Sequence, residues 1–421
     1  MSFLNKFKTV ISEYLSESFP RWRMYNILRH KRMELKREKR PIRVLFLVSD
    51  SSKWKCQSVY DAMKEDPLFE PLIVLTALDE EIFHDSGVPE KLMTELKEFF
   101  TKRDMPFESA FDVKTGEYCD LRKFMPDIIF YQQPWALNWK HSISKRTSFY
   151  ALSCYVSYFS PNYGSIELDC QRGFHDRLWR YYLANREWIE IYEKNAYFWG
   201  YPAKRVATGM PFFDEFRQYA GRKTKTDRPM VIFAPHYSID SALTPNPVNY
   251  STFQWTGKAI LEYAKRHREF CWIFKPHPRL RFQMVATGFM TEEETEKYFS
   301  EWESLGEVCN DGNYLDLFFR SFAMITDSAS FLTEYACTEH PIIHLISHTA
   351  KLQPMRPNRA LYDTYYKVHS LDEMFAVFEC VLEKREDPNR DKRLEELKKC
   401  GYMETNAAEN IIQDIKEALL S

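Results

Sequence analysis

Met230-Val231-Ile232-Phe233-Ala234-Pro235-His236-Tyr237-Ser238 sets five apolar residues directly before a proline, a histidine and a hydroxyl. A short, uninterrupted apolar run bounded by turn residues reads as a strand buried on both faces. The same shape recurs downstream: Cys271-Trp272-Ile273-Phe274 runs into Lys275-Pro276-His277-Pro278-Arg279, Ala323-Met324-Ile325-Thr326 into Asp327-Ser328-Ala329-Ser330, and Pro341 opens Ile342-Ile343-His344-Leu345-Ile346. Upstream, Ile42–Val48, Pro71–Leu75 and Asp127–Tyr131 repeat the strand signal, with helix-like stretches at Gln57–Glu65, Glu90–Lys102, Lys145–Leu152 and Phe331–Cys337. This alternation predicts an α/β chain of two doubly wound, Rossmann-like parallel sheets facing a cleft.

The charged stretch Gly221–Arg228 reads as a linker between the two series. The expected divisions are a basic amphipathic arm over 1–41, one α/β domain over 42–222, a second over 226–370, and charged helices over 371–421. At 421 residues, 44% hydrophobic and 28% charged, the composition is that of a globular protein with more than one core. Glycine is scarce, 12 residues, and no GxG occurs, which excludes the glycine-rich dinucleotide fingerprint and the P-loop.

The formal charge of −2 conceals an asymmetry. Residues 1–43 hold 12 Lys/Arg against 4 Asp/Glu, a balance of +8, leaving 46 basic and 56 acidic residues, or −10, for the rest. Within the arm, Phe3, Leu4, Phe7, Val10, Ile11, Tyr14 and Leu15 recur at helical spacing, and beyond Pro20 the basic residues interleave with Trp22, Tyr25, Ile27, Leu28 and Met33. That pattern suits either a helix lying on an anionic membrane surface or helices packed on the body with a solvated basic face. Nucleic acid is excluded as a partner because an acidic body repels phosphates. The start lacks the apolar core of a signal peptide, and no run reaches the roughly 18 apolar residues a membrane span needs. The expected location is cytoplasmic, peripheral on the inner face of the cell membrane. Nine cysteines without a CxxC pair argue against structural zinc and a disulfide framework.

In open parallel sheets ligands bind beyond the carboxyl ends of the strands. His236, a near-neutral titrating group just after a strand, is the candidate general base. Lys275 and Arg279 flank His277 with positive charge for an anion. Ser328 and Ser330 open a helix, where they either cap it or leave its amides to bind a diphosphate. His340, His344 and His348 have i, i+4 spacing, but the intervening run reads as strand, so they do not converge on a metal. No HExxH, DxD or GxSxG occurs, and neither metal nor cofactor is expected. Trp135, Trp139, Trp179, Trp188 and Trp199 offer a sugar-stacking surface, with core packing as the commoner use.

Lys275-Pro276-His277-Pro278, together with Asn310-Asp311, Tyr314-Leu315-Asp316-Leu317, Ser321, Ile325-Thr326-Asp327-Ser328-Ala329-Ser330-Phe331, Glu334-Tyr335-Ala336 and Pro341-Ile342-Ile343, resembles the CDP-glycerol glycerophosphotransferase family of teichoic-acid primases and polymerases over about residues 226–350. The resemblance implies a GT-B-like fold, an acceptor-side first domain and a donor-binding second domain. It further implies a CDP-activated polyol or other cytidine nucleotide as donor, a lipid-linked or glycan acceptor, and peripheral membrane attachment. By the same resemblance, His277 and the Ser328–Ser330 turn hold the donor phosphates, with Asp311, Thr326 and Glu334 among the binding residues. Where that family carries His-Gly-Thr-Pro, this chain has Gln132-Gln133-Pro134, the candidate acceptor-side pair, a turn that also resembles capsule glycosyltransferases using CMP-activated acidic sugars. Three alternatives stand beside the polyol-phosphate transferase. They are a glycosyltransferase using a CMP- or UDP-sugar, a sugar epimerase (ranked lower because it needs no membrane arm), and a catalytically inactive nucleotide-binding module that recruits a synthase.

Overall fold

The computed structural model describes residues 22–77, 88–134, 147–158, 172–175, 177–195, 204–220, 228–239, 249–309, 314–350 and 356–421. The chain divides into two units. The first takes the described residues before 159, those between 165 and Glu215, and Glu404–Ser421; the second takes Phe216–Met403.

The first unit is built on β1 (Ile42–Val48), β2 (Phe69–Leu75), β3 (Phe107–Ser109), a small hairpin of β4 (Phe111–Asp112) and β5 (Glu117–Tyr118), then β6 (Ile128–Tyr131), β7 (Leu152–Val156), β8 (Arg180–Leu183) and β9 (Lys204–Ala207). Seven strands form one sheet in the order β3-β2-β1-β6-β7-β8-β9, parallel throughout. Helix Gln57–Glu65 buries Val59, Tyr60 and Met63 from one face, and these join a core containing Val44, Phe46, Ile73 and Phe130. The last helix, Ala407–Leu420, contributes Ala408, Ile411, Ile412, Ile415 and Leu419, apolar positions three and four apart, to that same core. Asn406 caps it, Asp214 accepts from the amides of Ala407 (3.0 Å) and Ala408 (2.8 Å), and Arg180 pairs with Asp414 at 2.6 Å.

Two sequence expectations change here. Of the helix expected over Lys145–Leu152, Lys145 and Arg146 lie outside the described residues, Thr147 is helical and 148–150 are a turn, with the amides of Tyr150 and Ala151 bonded to Thr147 O; Leu152 then starts β7. Of the arm, residues 22–38 are a helix docked by one face on the first sheet, with Met24 and Leu35 in its core. Lys31 reaches Pro126 O (3.1 Å) and Asp127 (3.0 Å), Arg32 reaches Ala418 O (2.5 Å), and Arg40 clasps Asp127 at 2.6 Å. Trp22, Tyr25 and Met33 stay exposed. The stripe from Phe3 to Leu15 and the linker up to Asp227 lie outside the described residues. Among the described residues, no helix is long and apolar enough to cross a membrane.

The second unit repeats the plan with β10 (Met230–Ala234), β11 (Cys271–Phe274), β12 (Glu307–Val308), β13 (Ala323–Thr326), β14 (Ile342–Leu345) and β15 (Tyr366–Val368). Their order is β12-β11-β10-β13-β14-β15, again parallel throughout. Helices Phe253–Arg266 and Glu292–Leu305 press Ile260, Leu261, Phe299 and Trp302 onto Val231, Phe233 and Phe274.

Candidate functional site

Each sheet reverses its strand order once, between β1 and β6 and between β10 and β13. Loops leaving the carboxyl ends of such neighbouring strands diverge and form a ligand crevice. In the second unit this point gathers most of the residues singled out in the sequence. Lys275 N donates to Phe233 O (2.8 Å) and His277 N to Pro235 O (3.0 Å), extending the β10–β11 pairing past the strand ends. The rings of His236 and His277 consequently stand 5.3 Å apart, with the Tyr237 ring 4.5 Å from the first and 4.4 Å from the second. The Arg279 guanidinium lies 4.9 Å from the centre of Tyr237.

Asp327 frames this group. Its Oδ1 accepts from the amide of His236 (2.5 Å), and its Oδ2 accepts from the amide (2.6 Å) and hydroxyl (2.9 Å) of Thr252. Thr252 stands at the N-cap of helix Phe253–Arg266 without capping it through its own side chain, so Asp327 supplies the negative charge at that helix start. Burial pushes the Asp327 carboxyl up to about 6, against the pull of the Thr252 and His236 amides. His236 is pushed well below the ordinary imidazole value by burial and by its neighbours His277 and Arg279, which keeps it neutral near pH 7.

Lys275 is buried, with Nζ 5.3 Å from the Tyr314 ring centre and 6.0 Å from that of Phe331, a cation–π arrangement. Tyr314 donates its hydroxyl to Glu334, which is buried on helix Ala329–Ala336. Ser328 occupies the N-cap position of that helix but makes no side-chain capping bond; its Oγ lies 3.4 Å from that of Ser330. Thr326 is fully buried: its hydroxyl donates to Ala234 O (2.7 Å) and accepts from Ser328 N (2.9 Å), so it joins β13 to β10. Asp311 lies outside the described residues. The cluster thus brings together His236, His277, Lys275, Arg279 and the Ser328–Ser330 turn. Lys275 and Arg279 offer positive charge to an anion, while the nearby carboxylates of Asp327 and Glu334 are engaged by His236, Thr252 and Tyr314.

In the first unit, Gln132 and Gln133 follow β6 as expected. The Gln132 carbonyl accepts from the amides of Ser49 (2.9 Å) and Asp50 (3.1 Å), and its amide donates to Asp50 O (2.7 Å), so it fastens the loop after β1. Gln133 accepts from Lys53 Nζ (2.7 Å), which also pairs with Asp50 at 3.2 Å. Trp179 and Trp188 are core residues, while Trp135, Trp139 and Trp199 lie outside the described residues. His344 is buried in β14, where burial pushes it down to about 3. Among the described residues, no group of three His, Cys, Asp or Glu side chains is placed to hold a metal ion.

The roles of Tyr237, Ser238, Thr252 and Asp327 were not drawn from the sequence. Tyr237, Ser238 and Asp327 stand in the strand-end runs, where the apolar pattern marks their position but not their partners; Thr252 carries no such signal.

No protein-family model and no curated protein matches the chain. Solved structures do resemble it in fold. MnaA from S. aureus, in complex with UDP, is 11% identical and superposes over 90% of this chain and 97% of its own with a TM-score of 0.57. The UDP-GlcNAc 2-epimerase of Neisseria meningitidis, bound to UDP-GlcNAc, is 12% identical over 89% of this chain and 100% of its own, with a TM-score of 0.56. The wall teichoic acid polymerase TagF is 14% identical over 90% of each chain, with a TM-score of 0.50. The chain has a GT-B-like fold of two Rossmann-like units.

Proposed function

We propose that this chain is a GT-B-type transferase of cell-surface polymer synthesis that moves a polyol phosphate from a CDP-activated donor to a hydroxyl of a lipid-linked or glycan acceptor. The observation that carries the reading is the convergence of His236, His277, Lys275 and Arg279 beyond β10 and β11, beside the Ser328–Ser330 turn that follows β13. An anionic diphosphate meets there two cations and several neutral donors. The acceptor oxygen attacks the β-phosphorus, the bond from that phosphorus to the bridging oxygen breaks, CMP leaves with the electron pair, and the hydroxyl proton passes to a base. Such in-line transfer asks mainly for positioning and charge stabilisation, without a metal in this reading. The fold shared with the teichoic acid polymerase supports it. The exposed Trp22, Tyr25 and Met33, on a helix that also exposes Arg29 and Lys36, support an anionic membrane surface as the place where the acceptor is met.

A second reading, chemistry on a UDP-sugar by glycosyl transfer or epimerisation, is favoured by the two similar folds solved with UDP and UDP-GlcNAc. The arm's docking on the first sheet weakens the ground on which an epimerase ranked lower. Thermal-shift and turnover assays with CDP-glycerol, CDP-ribitol, CMP-sugars and UDP-GlcNAc separate the two. The first expects stabilisation by the CDP-polyols and release of CMP; stabilisation by UDP-GlcNAc alone overturns it. Binding of a cytidine nucleotide without turnover, whatever acceptor is supplied, identifies a recruitment module.

A further inference from the structure

The hydrogen bonds around His236 fix which of its ring nitrogens carries the proton. A backbone N–H can only donate, and the amide of Ser238 donates to His236 Nδ1 at 3.2 Å. The Ser238 hydroxyl lies 2.7 Å from the same nitrogen. That hydroxyl oxygen already accepts from the amides of Tyr250 (2.8 Å) and Ser251 (3.2 Å), so both of its lone pairs are engaged and its hydrogen is directed at Nδ1. Nδ1 of His236 therefore accepts twice and bears no proton, and the neutral ring carries its hydrogen on Nε2. His277 follows the same rule, because the amide of Arg279 donates to its Nδ1 at 3.1 Å.

We infer that His236 serves the site as a neutral hydrogen-bond donor, offering Nε2–H to a negatively charged phosphate oxygen, and that Ser238 is the positioning residue that holds this tautomer. His236 is then not the general base expected from the sequence. A base must present a bare nitrogen, and the bare nitrogen of this ring faces Ser238. The acceptor proton leaves through a group outside the His236–Ser238 pair. The depressed imidazole value agrees, since a ring that stays neutral keeps Nδ1 available to the two Ser238 donors. The neighbouring cations Lys275 and Arg279 supply the charge, so the imidazole adds direction without adding a proton to be lost.

The phosphate identity of the ligand rests on the function proposed above; the tautomer does not. The test uses the full-length chain with 15N-labelled histidine, His236 being assigned by its absence in His236→Gln. Long-range proton–nitrogen correlation is expected to give the Nε2-protonated neutral form between about pH 6 and 8. An Nδ1-protonated ring or an imidazolium in that range overturns the inference. Titration with inorganic pyrophosphate is expected to shift the Nε2–H resonance, and an unmoved resonance at saturation overturns it. His236→Gln, whose amide can donate from the place of Nε2, should keep pyrophosphate affinity within a few-fold, whereas His236→Ala should lose about tenfold, one hydrogen bond to a charged group. Ser238→Ala, which keeps the backbone donor to Nδ1 and removes only the hydroxyl, should lose less than His236→Ala. Ser238→Thr should restore the wild-type affinity. Equal losses in His236→Gln and His236→Ala contradict donation. Should pyrophosphate bind in this way while CDP does not, the cytidine-donor reading fails and the donor role of His236 stands.

Discussion

Replacing Asp327 by asparagine probes the frame of the site through its pH dependence. The carboxylate is 3% exposed and accepts three hydrogen bonds from two segments that precede it by 91 and 75 residues. Burial raises its folded-state value to about 6 from the ordinary 3.8. A raised carboxyl binds its proton more tightly in the folded state, so its stabilising contribution is full below the unfolded value and fades as pH rises through the folded one. With a folded value of about 6, the preference is RT ln(1 + 10), about 1.4 kcal/mol, at pH 5, and close to zero at pH 8. Asparagine does not titrate. It turns an N–H₂ toward one of the donors and costs about 1–3 kcal/mol at every pH. The wild-type advantage over Asp327→Asn should therefore be about 1.4 kcal/mol larger at pH 5 than at pH 8. Because a two-unit chain need not unfold in one step, the measurement is amide exchange of the β10 and β13 residues in both proteins at matched pH, where all other titrations cancel. A constant difference would show that Asp327 does not titrate in this range. An advantage that grows toward pH 8 would mean that the three donors outweigh burial, and the reasoning would be refuted.

Two further substitutions test the units separately. Asp127 is fully buried. Burial alone raises its carboxyl, but Arg40, Lys31 and the Arg43 amide outweigh it and hold it below the ordinary value, so its stabilisation is present near neutral pH and lost on acidification. Asp127→Asn should cost about 3 kcal/mol in urea unfolding of the first unit and open helix 22–38 to limited proteolysis; unchanged protease resistance would rule out this anchor. Gly306 ends helix Glu292–Leu305, and a Cβ there would stand 1.9 Å from the carbonyl oxygen of Trp272. Gly306→Ala should therefore lower the second unit's stability by more than about 3 kcal/mol, read as its thermal midpoint, and a wild-type midpoint would deny the close approach.

The strands of the second sheet were legible to the residue at Met230–Ala234, Cys271–Phe274 and Ala323–Thr326 because each is an apolar run, ending on Thr326 in the last, stopped by a lysine, a proline or an aspartate. Burial on both faces writes that pattern locally. The C-terminal end of the helix expected over Lys145–Leu152 was misplaced, because pairing of Leu152–Tyr155 with Ile128–Tyr131 draws Leu152 into the sheet. The packing of Ile411 and Ile415 on the first sheet was illegible for another reason. A helix stripe declares that it is buried, not against which core. In the site, the positions of His236 and His277 followed from the strand ends, while the grip of Asp327 on the two segments joins residues far apart in sequence. Ser238 reads as an ordinary turn serine until Tyr250 and Ser251 supply the donors that turn its hydrogen toward His236.

That these strand ends carry no glycine-rich loop agrees with where the turn amides point. A glycine-rich phosphate loop turns its backbone N–H groups outward, and positive φ is what permits it. Here the amides of Lys275 and His277 bond to Phe233 O and Pro235 O, those of Ser238 and Arg279 to imidazole nitrogens, and those of His236 and Thr252 to Asp327. The amide of Ser328 goes to Thr326 Oγ1. With these donors directed inward, positive φ is not needed at the strand ends, and prolines 235, 276 and 278 can fix the turns instead. Recognition of an anion then falls to side chains, namely the imidazoles, Lys275, Arg279 and the serine hydroxyls. The two designs differ in what they tolerate: a backbone cradle keeps its donors whatever side chain it carries, whereas this arrangement loses a donor with each single substitution. Affinity for an anion should accordingly fall stepwise through His277→Ala, Arg279→Ala and Lys275→Met, each by about the tenfold of one charged hydrogen bond or more, while the frame held by Asp327 stays intact.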